Sequence, residues 1–210
     1  MNEENIPDEN PQPPETRKFD WKSTLRDVLE TLGLAVVLFL AINLVSARVR
    51  VDGFSMRPTL ENGQFVLVSR LAYLDGEFER GDIVVFRPPM YPEEAAWRHY
   101  LGLPGFSAYE DYIKRVIGLP GETVRIENGQ VFINGALLEE PYIAAPPQYS
   151  GIWQVPEGHL FVLGDNRNNS SDSHSWGPLP VENVVGKAVL IYWPLRDWMV
   201  LRNQDALAAP

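Results

Sequence analysis

One residue of this sequence that could do chemistry is a serine in a turn-like run. Ser55 lies in the run GFSMRPTL, between the flexible Gly53 and the rigid Pro58. Such a position can expose a hydroxyl, although a serine beside glycine and proline is most often an ordinary turn residue. A serine nucleophile also needs a base that accepts its proton, so a second residue must be found elsewhere in the chain.

Two kinds of base are available. The first is a histidine held by an aspartate, as in a Ser-His-Asp triad. The candidates for that arrangement are His99, His159 and His174, with Asp165 or Asp172. The second is Lys114, which apolar residues flank in the run DYIKRVIGLPGE on a predicted strand. If this lysine points inward, burial disfavours its ammonium form and lowers its pKa toward the range of a useful base. Most strand lysines point to solvent, so both kinds of base stay open at this stage.

Composition excludes several other kinds of chemistry. The 210 residues include no cysteine, which removes thiol catalysis, disulfides and zinc sites with cysteine ligands. A formal charge of -10 argues against nucleic acid as a partner, because general nucleic-acid binders rely on cationic contacts to phosphate. With 45% hydrophobic residues, the chain can bury a core. We therefore expect a folded domain that uses oxygen and nitrogen chemistry.

An apolar stretch near the N-terminus predicts a membrane span. Residues 31–47 contain no charge, and about 17 to 25 such residues can cross the hydrocarbon of a bilayer. We assign a disordered, acidic and proline-rich tail to residues 1–26 and a transmembrane helix to residues 27–47. Four basic residues before the span and three after it nearly balance, so charge hardly orients it. A buried core helix and a signal peptide cleaved after Ala47 remain alternatives.

The remainder of the chain is predicted to form β-strands. Six short runs are rich in Val, Ile, Leu and Phe. They cover residues 64–70, 82–86, 123–126, 130–133, 159–163 and 184–193. Asn128-Gly129 predicts a tight hairpin turn, and residues 88–110 form a long aromatic excursion without strand alternation. We place one folded domain at residues 48–203 and a C-terminal tail at residues 204–210.

Four segments occur together in a recognisable order. They are GFSMRPTL, RGDIVVFRPP, DYIKRVIGLPGE and FVLGDNRNNSSDSHSWGPLP. In this order and approximate spacing, the chain strongly resembles the bacterial type I signal peptidases over residues 31–193. The resemblance implies a mostly β fold, with a compact antiparallel, barrel-like catalytic core behind a single transmembrane helix. It also implies a serine endopeptidase with a Ser-Lys dyad that needs neither a metal nor an organic cofactor.

Position by position, the resemblance implies roles for individual residues. Ser55 would be the nucleophile and Lys114 the general base. The supporting residues would be Ser170, which in the family orients the lysine, together with Asp165, Arg115 and Asp172. The substrate-binding set, whose apolar members would line shallow pockets for small side chains, would be Val49, Val51, Gly53, Met56, Tyr112 and Ile113. Ordinary core packing is the competing interpretation for each apolar member of that set.

The sequence departs from the family pattern at three positions. Gly53 stands where some members have a serine that stabilises the oxyanion, which leaves the Ser55 amide as the assured donor. Asn168 replaces a common aspartate, and His174 replaces the usual arginine close to Asp172. The partner of Asp172 therefore stays open.

The function implied by the resemblance is the removal of signal peptides from secreted preproteins. The enzyme would be a monomer in the cytoplasmic membrane, with the lipid bilayer and preprotein signal peptides as partners and its catalytic domain on the extracytoplasmic side. Residues 90–109 and 193–201 would contact lipid, or would pack as ordinary structure. The rival function is a catalytically inactive, membrane-tethered β-rich binding protein. Ser-Lys self-cleaving repressors are more distant, because they would carry a DNA-binding domain where this chain has a membrane span.

Overall fold

One long apolar helix opens the computed structural model, which describes residues 21–89 and 111–202. Helix α1 (Trp21–Val45) contains the window Thr24–Val45, which has a mean hydropathy of 2.4 and no buried part. Its 22 residues extend about 33 Å, enough to cross a hydrocarbon layer of about 30 Å. Within the described residues it is the one helix of this length and composition. Its exposure argues against a buried core helix.

The boundaries of α1 differ from the predicted span of residues 27–47. The helix begins at Trp21, so residues 21–26 are helical rather than part of a disordered tail. It ends at Val45, because Ser46 and Ala47 already pair with the neighbouring strand. The rest of the predicted N-terminal tail, residues 90–110 of the predicted excursion and the predicted C-terminal tail lie outside the described residues.

The strands that follow α1 in the described residues form two antiparallel sheets. They are β1 (Ser46–Arg50), β2 (Phe65–Ser69), β3 (Ile83–Phe86), β4 (Tyr112–Gly118), β5 (Thr123–Glu127), β6 (Gln130–Ile133), β7 (Ala136–Leu137), β8 (Gly151–Gln154), β9 (His159–Leu163), β10 (Leu179–Pro180), β11 (Val184–Trp193) and β12 (Met199–Val200). The larger sheet has the order β1-β2-β11-β3-β4-β9-β10, with β12 beside β11, and the smaller has the order β7-β6-β5-β8. Register shifts in the pairing of β11 with β2 mark bulges, which bend a strand and increase its twist. The larger sheet is therefore curled.

The predicted fold class is confirmed, since the described chain is mostly antiparallel β behind one apolar helix. All six predicted runs are strands, and Asn128 has the positive φ of 52° that the predicted hairpin turn requires. Five strands were not predicted, namely β1, β7, β8, β10 and β12. They are short or lie at sheet edges, where fewer side chains are buried.

The core covers the strand that carries the candidate lysine. β3 and most of β9 are buried on both faces, and β4 is buried from Ile113 to Gly118. One apolar cluster, which includes Met56 and Ile113, packs at the start of β4. A second cluster, which includes Ile117 and Phe161, joins the two sheets. Because both faces of β4 are covered, a lysine on this strand is removed from water.

Candidate active site

Ser55 and Lys114, 59 positions apart in sequence, meet in a close contact. Nζ of Lys114 donates to Oγ of Ser55 at 2.8 Å and to the carbonyl oxygen of Ile113 at 3.0 Å. Ser55 is half-buried in the connection between β1 and β2, whereas Lys114 lies early in β4 and is only 4% exposed. The fold thus places one candidate base directly against the candidate nucleophile.

Burial changes the acid–base behaviour of Lys114. Removal from water disfavours the ammonium form and lowers the pKa of Lys114 to about 8, although the charges of Asp172 and Asp165 act in the opposite direction. Among the described residues, the hydrogen bonds of Nζ go to a hydroxyl and a carbonyl rather than to a carboxylate. A neutral amine within hydrogen-bond reach of a hydroxyl can accept its proton. The pair therefore has both the geometry and the proton affinity of a nucleophile and its base.

The loop that carries Ser55 is held from two sides. Gly53 has a φ of 101°, a conformation that favours glycine, and its amide donates to Oδ1 of Asn62 at 3.0 Å. Asn166 donates from its backbone amide to the Ser55 carbonyl at 2.9 Å and from its side chain to the Phe54 carbonyl at 3.1 Å. The Ser55 amide has no hydrogen-bond acceptor among the described residues. This amide can therefore donate to an oxyanion that forms beside Oγ.

Arg115, the next residue along β4, is the centre of a buried ion pair. Its Nε and Nη2 donate to the two carboxylate oxygens of Asp165 at 2.8 and 2.6 Å, and its Nη1 donates to the Gly81 carbonyl at 2.9 Å. The Thr59 hydroxyl donates to the same carboxylate at 2.5 Å. Arg115 and Asp165 are both 0% exposed. The ion pair joins β4 to the segment 164–167, which in turn holds the Ser55 loop.

A second ion pair, which sequence analysis missed, holds the same segment. Arg167 donates to both oxygens of Glu140 at 2.7 and 2.5 Å, and its Nε donates to the Gly164 carbonyl at 3.1 Å. The Tyr142 hydroxyl donates to Glu140 at 2.9 Å, while its ring lies 4.0 Å from the Arg115 guanidinium. Only Arg167 carried a signal in the sequence, as part of GDNR. Glu140 and Tyr142 lie after β7 in no motif.

Ser170 lies close to the site but does not make the predicted contact with the lysine. Its Oγ is buried and has no hydrogen-bond partner within residues 21–89 and 111–202. Nζ of Lys114 is directed to Ser55 and to a backbone carbonyl instead. Ser170 packs against Gly164, where any side chain would clash with the Ser170 hydroxyl and with the Ser55 carbonyl. The lack of a side chain at Gly164 therefore allows segment 164–167 to approach both Ser170 and the nucleophile loop closely.

Asp172 also holds segment 164–167 at Gly164. One of its oxygens accepts the Gly164 amide at 2.9 Å. The other oxygen accepts a hydrogen bond from the His174 amide at 3.2 Å, and this bond caps the short helix α2 (Ser173–Trp176). The same oxygen lies 2.6 Å from Nδ1 of His174. The His174 ring also stacks on Tyr149, with ring centroids 4.0 Å apart. The histidine thus takes the place beside Asp172 that the sequence left open.

Alternatives to the Ser-Lys pair find no support in the described residues. His174 and His159 make their ring contacts with a carboxylate and a backbone carbonyl, and neither ring contacts Ser55. His99 lies outside the described residues. No group of three or more His, Asp or Glu residues in the described part of the chain could hold a metal ion. The geometry therefore favours Lys114 as the base.

An open cleft of about 660 Å³ leads to Ser55 and Lys114. All six residues of the predicted substrate-binding set line it, namely Val49, Val51, Gly53, Met56, Tyr112 and Ile113. Three of them, Val51, Met56 and Ile113, are buried and also belong to an apolar core cluster. These three side chains therefore both pack in the core and line the cleft. A bulky substrate group at this place would have to displace packed core residues.

Comparisons with known proteins cover most of the chain. The family model for signal peptidase, peptidase S26, matches residues 25–193. A signal peptidase I of Leptolyngbya laminosa is 46% identical over 175 residues, which cover 82% of this chain and 82% of that protein. Signal peptidase I S of Bacillus subtilis (strain 168) is 35% identical over 190 residues, which cover 84% of this chain and 93% of that protein. The crystal structure of a signal peptidase I from Enterococcus faecalis V583 is 30% identical, with a TM-score of 0.43, and covers 54% of this chain and 97% of that chain.

Proposed function

The chain belongs to the signal peptidase family, peptidase S26, and on that premise we propose that it cleaves signal peptides from exported preproteins with a Ser55–Lys114 dyad. The observation that carries this proposal is the 2.8 Å contact between Nζ and Oγ. The lysine in that contact is buried and its pKa is lowered to about 8. A useful fraction of it is therefore neutral near neutral pH, as a general base requires.

Acylation begins when neutral Lys114 accepts the proton of the Ser55 hydroxyl while Oγ bonds to the scissile carbonyl carbon. The carbonyl becomes a tetrahedral oxyanion, which accepts a hydrogen bond from the Ser55 amide. When the oxyanion collapses, the peptide C–N bond breaks and Lys114 gives its proton to the leaving amine. That amine is the new N-terminus of the mature protein, and the signal peptide remains on Ser55 as an ester.

Deacylation repeats the same proton movements with water. Lys114 accepts a proton from a water molecule whose oxygen attacks the ester carbon, and a second oxyanion forms. Its collapse breaks the bond to Ser55 Oγ, which takes the proton back from Lys114. The signal peptide leaves with a new carboxyl group, and both side chains return to their starting states. No proton moves to or from Arg115, Asp165 or Asp172 in this scheme. Their role is to hold the segment that positions the nucleophile loop.

We propose that the cleft selects substrates with small side chains before the cut. The lining side chains Val51, Met56 and Ile113 are buried in a packed core. Enlarging this part of the cleft would require a cavity in that core. Rejection of large side chains is therefore steric, and we expect it to relax in a Met56→Ala enzyme.

We further propose that α1 anchors a monomer in the cytoplasmic membrane, with the peptidase domain at residues 48–203 on the extracytoplasmic side. The length and full exposure of its apolar window support a span. The exposed Trp193 and Trp198 support lipid contact by the C-terminal segment. Protease added outside wall-stripped cells should digest the peptidase domain, and protection would reverse the orientation. Recovery of a soluble chain that begins at Arg48 would favour a cleaved signal peptide.

The test of the dyad is cleavage of a preprotein by the purified full chain, with product masses measured. Ser55→Ala should lower kcat/KM by about 10³-fold or more while the protein stays folded. Ser150→Ala, at an exposed serine in a connecting loop, should keep near-normal turnover. Wild-type protein that binds the preprotein without cutting it would favour the inactive binding protein. Near-normal turnover in Ser55→Ala would remove the nucleophile from its role.

A further inference from the structure

An open edge of the larger sheet forms one wall of the cleft that leads to Ser55. β1 stands last in the strand order and pairs with β2 on one side, so its other edge has no neighbouring strand among the described residues. Residues 48–56 line the cleft without a gap. Because successive side chains of a strand point to opposite faces, an unbroken run of lining residues means that the cleft follows the edge of β1 rather than one of its faces.

The two faces of β1 differ along this edge. Val49 is half-buried and packs against an apolar core cluster, and Val51, directly after the strand, is buried within that cluster. Arg48 and Arg50 alternate with these valines and are exposed. In the described part of the chain, neither guanidinium has an ion-pair partner. A peptide bound along the edge would therefore meet apolar side chains on one face and two cations on the other.

The direction of a bound substrate follows from where β1 begins and ends. β1 begins directly after α1, which ends at Val45, and the chain then runs to Ser55. With α1 in the bilayer, as proposed, the apolar segment of a signal peptide lies in the same bilayer. The substrate residues before the cut therefore run from the membrane toward Ser55, in the same direction as β1.

An extended substrate at an open sheet edge alternates its side chains in the same way as the strand beside it. The small side chain directly before the cut lies on the apolar face, because Val51 and Met56 are buried and line the cleft beside Ser55. The second and fourth side chains before the cut then lie on the face that carries Arg48 and Arg50. Neighbouring strands are about 4.8 Å apart, which a long arginine side chain can bridge.

We propose that Arg48 and Arg50 select the charge of the signal peptide at the second and fourth residues before the cut, favouring a carboxylate and disfavouring an ammonium group. This proposal rests on the proposed function and names a specificity determinant of the same cleft. A guanidinium binds a carboxylate through charge-assisted hydrogen bonds. Because both arginines are exposed, the selection is severalfold rather than absolute.

Two acids line the same cleft, and their positions decide where the selection is strongest. Asp111 stands two residues before Ile113, a member of the apolar cluster, so alternation places it on the apolar side. Asp52 is exposed and follows Arg50 by two residues on the arginine side, nearer to Ser55. It offsets part of the cationic field beside the second residue before the cut. The fourth residue, farther from Asp52, should therefore show the larger preference.

Soluble peptides test the selection without a membrane. The peptides share one cleavage sequence with alanine at the first and third residues before the cut, and they carry Glu, Gln or Lys at the fourth or at the second residue. The full chain in detergent is assayed for kcat/KM on each peptide at low salt. Because two peptides are compared on one enzyme, the ratio does not depend on how much of a variant is folded.

For the fourth residue, we expect the wild type to have a kcat/KM at least about fourfold higher for the Glu peptide than for the Lys peptide. The preference should disappear in Arg48→Gln with Arg50→Gln and invert in Arg48→Glu with Arg50→Glu. It should also shrink at about 0.5 M salt, which screens exposed charges. Arg125→Gln, on β5 of the smaller sheet and outside the cleft lining, is the matched control and should keep the wild-type ratio.

The possible failures are distinguishable. Equal kcat/KM for the Glu and Lys peptides in the wild type would overturn the charge selection and leave cleavage by Ser55 and Lys114 intact, whereas cleavage of no peptide would remove the proposed function and this inference together. A preference that persists in the double Gln variant would overturn the role of the two arginines. Slower cleavage of a membrane-inserted preprotein by that variant, with an unchanged peptide ratio, would assign Arg48 and Arg50 to lipid phosphates and overturn the proposal.

Discussion

Lys114 and Arg115 are neighbouring cations on β4, and their surroundings are opposite. Arg115 is fully buried and meets Asp165 through two hydrogen bonds. Lys114 is almost as buried, but its Nζ meets a hydroxyl and a backbone carbonyl in the described structure. Because successive side chains of a strand point to opposite faces, one strand presents a cation to a scaffold on one side and to a cleft on the other.

The difference shows how partners decide what a buried cation does. A bidentate carboxylate compensates the Arg115 guanidinium for the loss of water, and the ion pair joins two segments. Without such a partner, burial lowers the pKa of Lys114 to about 8, against the weaker opposing influence of Asp172 and Asp165. The first cation holds the site together, and the second can release its proton. Four experiments break or sharpen this contrast.

The largest loss of activity should come from replacing Lys114 by arginine, which makes the two neighbouring cations alike. Lys114→Arg keeps a long cationic side chain, but a guanidinium does not deprotonate in proteins. We expect kcat/KM for a soluble peptide to fall by about 10³-fold or more, as far as in Lys114→Ala. Lys187→Arg is the control, because that lysine is ion-paired with Asp82 and should tolerate the change. Substantial turnover in Lys114→Arg would mean that another group is the base.

Removing the scaffold cation should instead cost stability. Arg115→Met leaves the fully buried Asp165 without its ion-pair partner, and such a change typically lowers the free energy of unfolding by about 3 to 5 kcal/mol. Adding Asp165→Leu removes the orphaned charge, so the double variant should recover much of that loss. Urea unfolding of the detergent-solubilised chain measures both. A double variant less stable than Arg115→Met would show that the charge itself is not the source of the cost.

Lys114→Met should raise the free energy of unfolding, whereas Arg115→Met should lower it. At pH 7 this lysine is charged in the folded and unfolded chain, so the folded state carries the full desolvation cost of the ammonium. Between about 8 and the ordinary lysine value near 10.4, only the unfolded chain binds the proton, and the stability of the wild type rises with pH. Methionine removes the cost, so the variant should be more stable at pH 7 by about 3 kcal/mol.

The advantage of Lys114→Met should shrink as the pH rises and vanish above about 11, where the wild-type lysine is neutral in both states. Lys187→Met is the matched control. It leaves the carboxylate of Asp82 buried without its cation, so it should lose stability at pH 7. Unfolding free energies measured across this pH range separate the two lysines. An advantage of Lys114→Met that does not change with pH would have to come from packing alone.

The sequence predicted the parts of the site that lie in motifs and failed where tertiary contacts decide. Ser55 and Lys114, which are in contact in the structure, could be named as candidates because both stand in recognisable runs and because burial of a lysine has a known chemical consequence. Glu140 and Tyr142 were missed because no local pattern marks a residue whose partner, Arg167, is reached only through folding. The orienting role predicted for Ser170 stays a prediction, because within the described residues its hydroxyl lies against Gly164 and makes no hydrogen bond.

The strands, too, were predicted where the local sequence marks them and missed where it does not. The six predicted runs carry enough apolar residues to show which side faces the core, as in β2 with its alternating burial. Edge strands are harder to locate. In β1 the apolar Ala47 and Val49 alternate with polar residues, but the strand directly follows the apolar helix, and β10 has only two residues. The end of α1 could not be located from the sequence, because the uncharged run of the helix continues through Ser46 and Ala47, the first two residues of β1.

The smallest expected effect is a shift in the pH dependence of catalysis, which tests the role of Lys114 most directly. Because the base must be neutral, kcat/KM should rise about tenfold per pH unit below the pKa of Lys114 and level off above about 8. Asp172→Asn removes a nearby negative charge that raises this pKa, so the midpoint should move to lower pH. Thr59→Val, which removes a hydrogen bond to Asp165 without changing its charge, should leave the midpoint where it is. A profile that stays flat from about pH 6 to pH 10, with chemistry rate-limiting, would mean that Lys114 is not the group whose deprotonation starts the reaction.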